Sequence, residues 1–251
     1  MFLSKVGDLL RDELFLPGIF WTHQAELLQA FFGKDRGVFV EVGANDPVLF
    51  SQTYHLEQIG WTGVLVEPLP DCAERLRRER KARVFEVACS SPENHGKAAK
   101  LKVAGVFSTL GPTLMVPGEP ILGEVEVRLA TLDSLLAEAG IEKVDLLSID
   151  VEGLEIDVLR GIDLEKYGPD LVLLEDHVYD WTKHRYMTAA GYKVVRRTDL
   201  NSWYIPAHRP FPISLLGRLQ LFRKFVLGVP LRSWRFARRK RRASRRRAGV
   251  L

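Results

Sequence analysis

Apolar residues fill Val38-Phe39-Val40, give way to one acid at Glu41, and resume at Val42. That density marks a strand buried in a sheet. It stops in a turn of small residues, Gly43-Ala44-Asn45, and a second run, Gly63-Val64-Leu65-Val66, stops on an acid, Glu67. Between them, residues 50–57 are expected to open a crossover helix, with Ser51 or Thr53 as cap. A strand, a small turn, a crossover and a second strand form a βαβ unit.

The same reading extends along the chain. Residues 3–15 and 24–32 carry apolar positions at helical spacing, separated by Pro17-Gly18. Residues 70–80 alternate Arg and Glu around Cys72 and Leu76 and are expected to be a solvated helix; residues 84–89 form a third strand. The interval 90–130 is punctuated by Pro and Gly and has short β patterns at 99–103 and 124–129. It is expected to be a hairpin or loop insertion over a pocket mouth, since a connection of that length is usually functional. A helix follows at 131–139, a strand at 143–149, a helix from 155, a strand at 169–175 and a helix near 182–190. An antiparallel pair, 192–197 with 202–206, completes the pattern. The expected fold is α/β, a Rossmann-like, seven-stranded and mostly parallel sheet with helices on both faces. No internal repeat is present. The segments are 1–34, helical; 35–208, the α/β domain; and 209–251, a tail.

Charge changes this picture most. The chain has 251 residues with 36 Lys+Arg and 32 Asp+Glu; the 43 residues from Arg209 onward hold 14 of the cations and no acid, leaving 22 cations against 32 acids in the body. An acidic body with a basic tail is a statement about partners. In the tail, Ile213, Leu215, Leu216, Leu219, Phe222 and Val226 recur at helical spacing among Arg218, Arg223 and Lys224, and Pro230 is expected to break that helix. Trp234, Phe236 and the arginine runs at 238–242 and 245–247 follow. Such a pattern suits an interfacial helix on an anionic membrane; a phosphate-gripping arm for RNA or DNA and a solubilising tail are the alternatives. Two cysteines, Cys72 and Cys89, make neither a disulfide framework nor a metal site. With Asp8, Arg11, Asp12 and Glu13 interrupting the N-terminus, no signal peptide is expected, and no apolar run approaches a bilayer span. A cytoplasmic protein, on occasion peripheral to the membrane, is the expectation.

The chemistry sits at strand ends. Gly43 lets backbone approach a ligand closely, and Glu67 can accept from both ribose hydroxyls of an adenosine. Asp46 and Pro47 stand where a dinucleotide turn has further glycines, so a nucleoside without a phosphate to cradle, S-adenosylmethionine, is favoured over a nicotinamide cofactor.

Glu41-Val-Gly-Ala-Asn45, Phe50-Ser-Gln-Thr-Tyr54, Gly60-Trp-Thr-Gly63 and Glu67-Pro68 resemble the front half of the FkbM family of S-adenosylmethionine-dependent methyltransferases. Thr131-Leu-Asp-Ser-Leu-Leu136, Leu146-Leu-Ser-Ile-Asp-Val-Glu-Gly153 and Val158-Leu-Arg-Gly161 resemble its back half, over roughly residues 35–206 in all. Pro47 departs from the glycine many members carry. The resemblance implies O-methylation of a sugar hydroxyl in a glycan, glycolipid or lipopolysaccharide-type acceptor. It implies cofactor contacts from Glu41 (to the ammonium), Gly43, Ala44, Asn45, Asp46, Glu67, Pro68, Ala88, Cys89 (at the adenine) and Asp150. Each has a plainer reading: Glu41 as a cap for its own loop, Cys89 as a small buried residue. Asp150 and Glu152 are the candidates for catalysis, as a base or by orienting the cofactor; otherwise they cap the next helix. His177 is the third catalytic candidate and His55 a weaker one. A Mg²⁺ site from Asp150, Asp176 and His177 lacks any metal spacing, so no metal is assigned. The rival functions are an RNA methyltransferase gripping phosphates with the tail, and a non-catalytic adaptor.

Overall fold

A computed structural model of the chain describes residues 19–105, 107–111, 120–198, 200–234 and 236–238. The expected helix at 3–15 and the arginine runs beyond 238 lie outside them. The first helix, α1 (Ile19–Phe32), precedes β1 (Val38–Val42), α2 (Tyr54–Gln58), β2 (Thr62–Val66), α3 (Pro70–Glu79) and β3 (Arg83–Phe85). Then come β4 (Ala88–Cys89), β5 (Ala98–Val103), β6 (Gly123–Ala130), α4 (Leu132–Glu138), β7 (Leu146–Ile149), α5 (Glu155–Arg160) and α6 (Leu164–Tyr167). The chain continues through β8 (Leu171–Glu175), α7 (Thr182–Ala189), β9 (Tyr192–Thr198), β10 (Asn201–Pro206) and α8 (Leu215–Phe222), followed by a π-helical turn, Arg223–Leu227.

Seven strands form the main sheet in the order β3-β2-β1-β7-β8-β10-β9. β10 is the reversed strand, antiparallel to both β8 and β9, while β1 pairs in parallel with β2 and β7. Side chains alternate between two apolar layers, as strand geometry requires. Val40, Val42, Val64, Val66, Leu147, Ile149, Val172 and Leu174 face one layer with α4 and α5. Phe39, Leu65, Leu146, Leu171 and Leu173 face the other, with Leu28 of α1, Trp61 and Trp203.

The insertion is the expected hairpin, and three details differ from the sequence expectation: the third strand, the crossover helix and the tail. The expected third strand splits: β3 stays in the main sheet, whereas β4 leaves it to pair with β6. The insertion is the hairpin β5–β6, forming with β4 a second sheet of three strands. The crossover helix is short; Ser51 caps it through an Oγ that accepts from the Tyr54 N–H at 3.1 Å, while Thr53 points elsewhere. In the tail, the helix starts at Leu215 with Ser214 as its cap, and helix resumes at 229–234 and 236–238 with Pro230 in its first turn, where a missing N–H costs nothing.

Candidate active site

A cavity of about 450 Å³ opens at the carboxyl ends of β1, β2, β7 and β8. One wall is Gly43-Ala44-Asn45 and Glu67-Pro68-Leu69, and Ala88 and Cys89 of β4 form an adjoining wall. Asp150, Val151, Glu152, Glu175 and His177 line another, and Phe107–Leu110 of the insertion close over it.

The turn after β1 is fixed by a close backbone approach. Gly43 has φ +84°, and a Cβ there would stand 1.8 Å from the Asp150 carbonyl oxygen. Glycine is thus required by the end of β7, not only by a ligand. The Gly43 and Ala44 N–H groups both donate to the Val66 carbonyl, and the Asp150 N–H donates to the Val42 carbonyl. Three strand ends are therefore pinned around one residue.

Glu67 anchors the second wall. Its Oε2 accepts from the Asn45 N–H and its Oε1 from the Leu69 N–H, both at 2.9 Å. Burial pushes its carboxyl upward, and these two bonds only partly oppose that. One lone pair on each oxygen remains for a ligand hydroxyl. The Cys89 thiol is pushed up to about 12 by burial, which makes it an inert apolar wall.

The opposite end is acidic. Oxygens of Asp150, Glu152 and Glu175 all lie within 4.8 Å of one another. His177 Nε2 lies 3.4 Å from Glu175 Oε1. The turn holding Glu152 is left-handed, at φ +53°, and is held from two sides. Thr109 Oγ1 of the insertion donates to the Glu152 carbonyl, and the Gly153 N–H donates to Glu155 Oε1. Lys183 pairs with buried Glu155 at 2.6 Å and donates to the Glu175 carbonyl at 2.7 Å. Burial, then the charges of Glu175 and Glu152, pushes the Asp150 carboxyl well up. Burial and Glu175 push Glu152 up to about 7. Burial also opposes ionisation of Glu175, but His177 and Lys183 outweigh it and hold that carboxyl low. The two neighbouring carboxyls are thus pushed in opposite directions, Asp150 up and Glu175 down.

The expected residues divide. Gly43, Ala44, Asn45, Glu67, Pro68, Ala88, Cys89, Asp150, Glu152 and His177 line the one cavity. Glu41 does not: it is buried behind the turn and accepts from Ser51 Oγ, the Gln52 N–H and Thr53 Oγ1. Its plainer reading, a cap for its own loop, describes these contacts. Asp46 bonds the Val48 and Leu49 N–H groups and pairs with Arg75. His55 lies outside the cavity, driven down to about 4 by burial and Arg80. Asp176 turns away and accepts from the Val178 N–H, so Glu175, not Asp176, joins the acids. Period-two alternation was the available signal: positions 175 and 177 share one side of an extended segment and 176 the other.

Arg80 escaped the sequence reading. Its guanidinium is buried and donates to Glu57 at 2.7 Å, to the Pro47 carbonyl, and to Ser51 and Thr53 hydroxyls. It ties the loop 47–53 to the end of α3.

A sheet of this order, with one reversed strand, a carboxylate closing its second strand and an acid-lined cavity at its carboxyl edge, is a Rossmann-like α/β fold with a candidate ligand site where such sheets bind nucleotides. The family model described as the methyltransferase FkbM domain matches residues 41–194. The chain belongs to the FkbM methyltransferase family. Among solved structures it is similar to methyltransferase FkbM from Methylobacillus flagellatus KT, at 11% identity and a TM-score of 0.45, over 68% of this chain and 44% of that one. This chain therefore spans under half of that protein's length. No curated protein sequence matches the chain.

Proposed function

We propose that the protein is an S-adenosylmethionine-dependent O-methyltransferase acting on a sugar hydroxyl of a glycan, glycolipid or lipopolysaccharide-type acceptor. The observation that carries this reading is the polarity of one cavity, with a ribose-competent carboxylate at one end and three converging carboxyls at the other. Its volume of about 450 Å³ falls in the range of small-molecule sites. Glu67 would hold the ribose and the wall of Ala88 and Cys89 the adenine. The acids suit a cation, and S-adenosylmethionine supplies a methyl group on a sulfonium. The protein's share is to hold the acceptor oxygen in line and accept its proton. Glu152, poised at about 7, is half ionised at neutrality and is the base this reading favours. His177, 3.4 Å from Glu175, is oriented by it. An oxygen–carbon bond forms, the sulfur–carbon bond breaks, and the hydroxyl proton passes to the base.

Titration calorimetry with S-adenosylmethionine and S-adenosylhomocysteine tests the cofactor. Micromolar binding that Glu67→Ala weakens by at least tenfold is expected, and no binding to either ligand overturns the reading. Mass spectrometry of surface glycans with and without the protein tests the acceptor; a gain of one methylene is expected.

A further inference from the structure

Among the described residues the tail carries two apolar stripes, and one of them packs on the body of the protein. Phe225 and Val229 are buried against Val178, forming a small cluster of their own with Leu221 packed beside it. On the opposite side Leu215, Leu219, Phe222, Val226, Leu231 and Trp234 stand 46–76% exposed. The spacing is three or four residues, except for one step of five, 226 to 231, which crosses the bend at Gly228 that follows the π turn Arg223–Leu227. The segment is firmly seated: Trp181 Nε1 donates to the Phe225 carbonyl at 2.5 Å, Arg232 Nε to the Val178 carbonyl at 3.0 Å, and Phe236 stacks on Tyr179 at 4.4 Å.

We propose that this exposed stripe is a docking surface for a bilayer bearing anionic lipid. An exposed patch of this extent marks an interaction site, and charge chooses the occupant. Residues 209–251 contain 14 Lys and Arg and no acid. A second copy would bring the same cations against these, which disfavours self-association. A nucleic acid satisfies cations but gives no apolar medium to four aliphatic side chains, since its strands are gripped through phosphates and stacked bases. An anionic bilayer surface satisfies both features at once. The docked face of the same helix contacts Val178, Tyr179 and Trp181, directly after His177 of the cavity. The seat of the tail therefore adjoins the cavity wall that carries His177.

Flotation of the full chain with phosphatidylcholine vesicles, with and without phosphatidylglycerol, tests this independently of any methyl transfer. Binding is expected only with phosphatidylglycerol and falls as salt rises. Leu219→Asp with Phe222→Asp should cut vesicle binding by about 30-fold or more, leaving the melting temperature and S-adenosylmethionine binding unchanged. Full binding by that double variant overturns the proposal. So does failure of the wild type to float, tighter binding to single-stranded RNA than to vesicles, or a lipid-free dimer that the double variant dissolves.

Discussion

Gly43→Ala isolates the architectural claim from the chemical one. The added methyl meets the Asp150 carbonyl oxygen at 1.8 Å, against a limit of 3.0 Å that real Cβ atoms essentially never cross, so something must move by about 1.2 Å. Both neighbours are backbone. Moving the end of β7 breaks the bond from the Asp150 N–H to the Val42 carbonyl, worth about 1 kcal/mol. Keeping φ near +84° with a Cβ present costs a further 1–2 kcal/mol or so. The total is about 2–3 kcal/mol, or roughly 4–12 °C in melting temperature for a domain of this size. Because the displaced residue is Asp150, a shift of about 1 Å should also cost on the order of 100-fold in turnover. Thermal melts and single-turnover methyl transfer from labelled cofactor read the two effects separately. Wild-type stability together with activity within threefold of wild type would refute the pinned-turn account. Lost activity with unchanged stability would mean that Gly43 serves the ligand alone.

The other predictions concern charge. Glu152 is held at about 7 in the fold against an ordinary 4.5, so the folded state binds its proton more tightly than the unfolded chain does; its ionisation weakens the fold as pH rises from about 4.5 and does so fully above about 7. Glu152→Gln should therefore be more stable than wild type above pH 7, by about 1–2 kcal/mol after allowance for solvent screening, with the gap closing toward pH 4.5; urea melts across that range check it. The wild type is expected to show a rise of kcat/KM with pH near 7, and the same variant should flatten it. Arg80→Met strands Glu57 in the interior and should destabilise the chain by about 3–5 kcal/mol, with partial recovery on adding Glu57→Gln; melting temperatures of the two variants decide. A sulfonium near the acids should drive off protons that a neutral thioether leaves in place, so calorimetry in buffers of differing ionisation heat should show more proton release with S-adenosylmethionine than with S-adenosylhomocysteine.

What could be read from the sequence was whatever periodicity or a strand end fixes. Mostly apolar runs located β1, β2, β7 and β8, and a ligand site at the carboxyl edge follows from that arrangement. Glu67 and Asp150 could be named because each directly follows such a run, and Glu152 because it stands two residues after Asp150. Glu41 could not be placed so simply. Lying within β1 rather than beyond it, it faces the loop 51–53 and is spent on bonds there. Arg80 was invisible for the opposite reason: it closes a helix crowded with exposed arginines, and composition does not tell the one that turns inward from Arg77 or Arg78. Only its partners, 23 to 33 residues earlier in the chain, distinguish it. The split of the third strand was hidden likewise, because β4 takes its partner from β6, some forty residues on.

The segment after β8 links these two halves of the molecule. Val178 has φ +51°, a conformation in which a β-branched residue crowds its own backbone, and it comes one residue after His177. Such a geometry persists only where the surroundings over-determine it. Here they do: the Val178 N–H is taken by Asp176 Oδ1 at 2.7 Å, its carbonyl by Arg232, and its side chain by Phe225 and Val229. Two of these three restraints come from the basic tail. The tail therefore helps to hold in place the turn that follows His177.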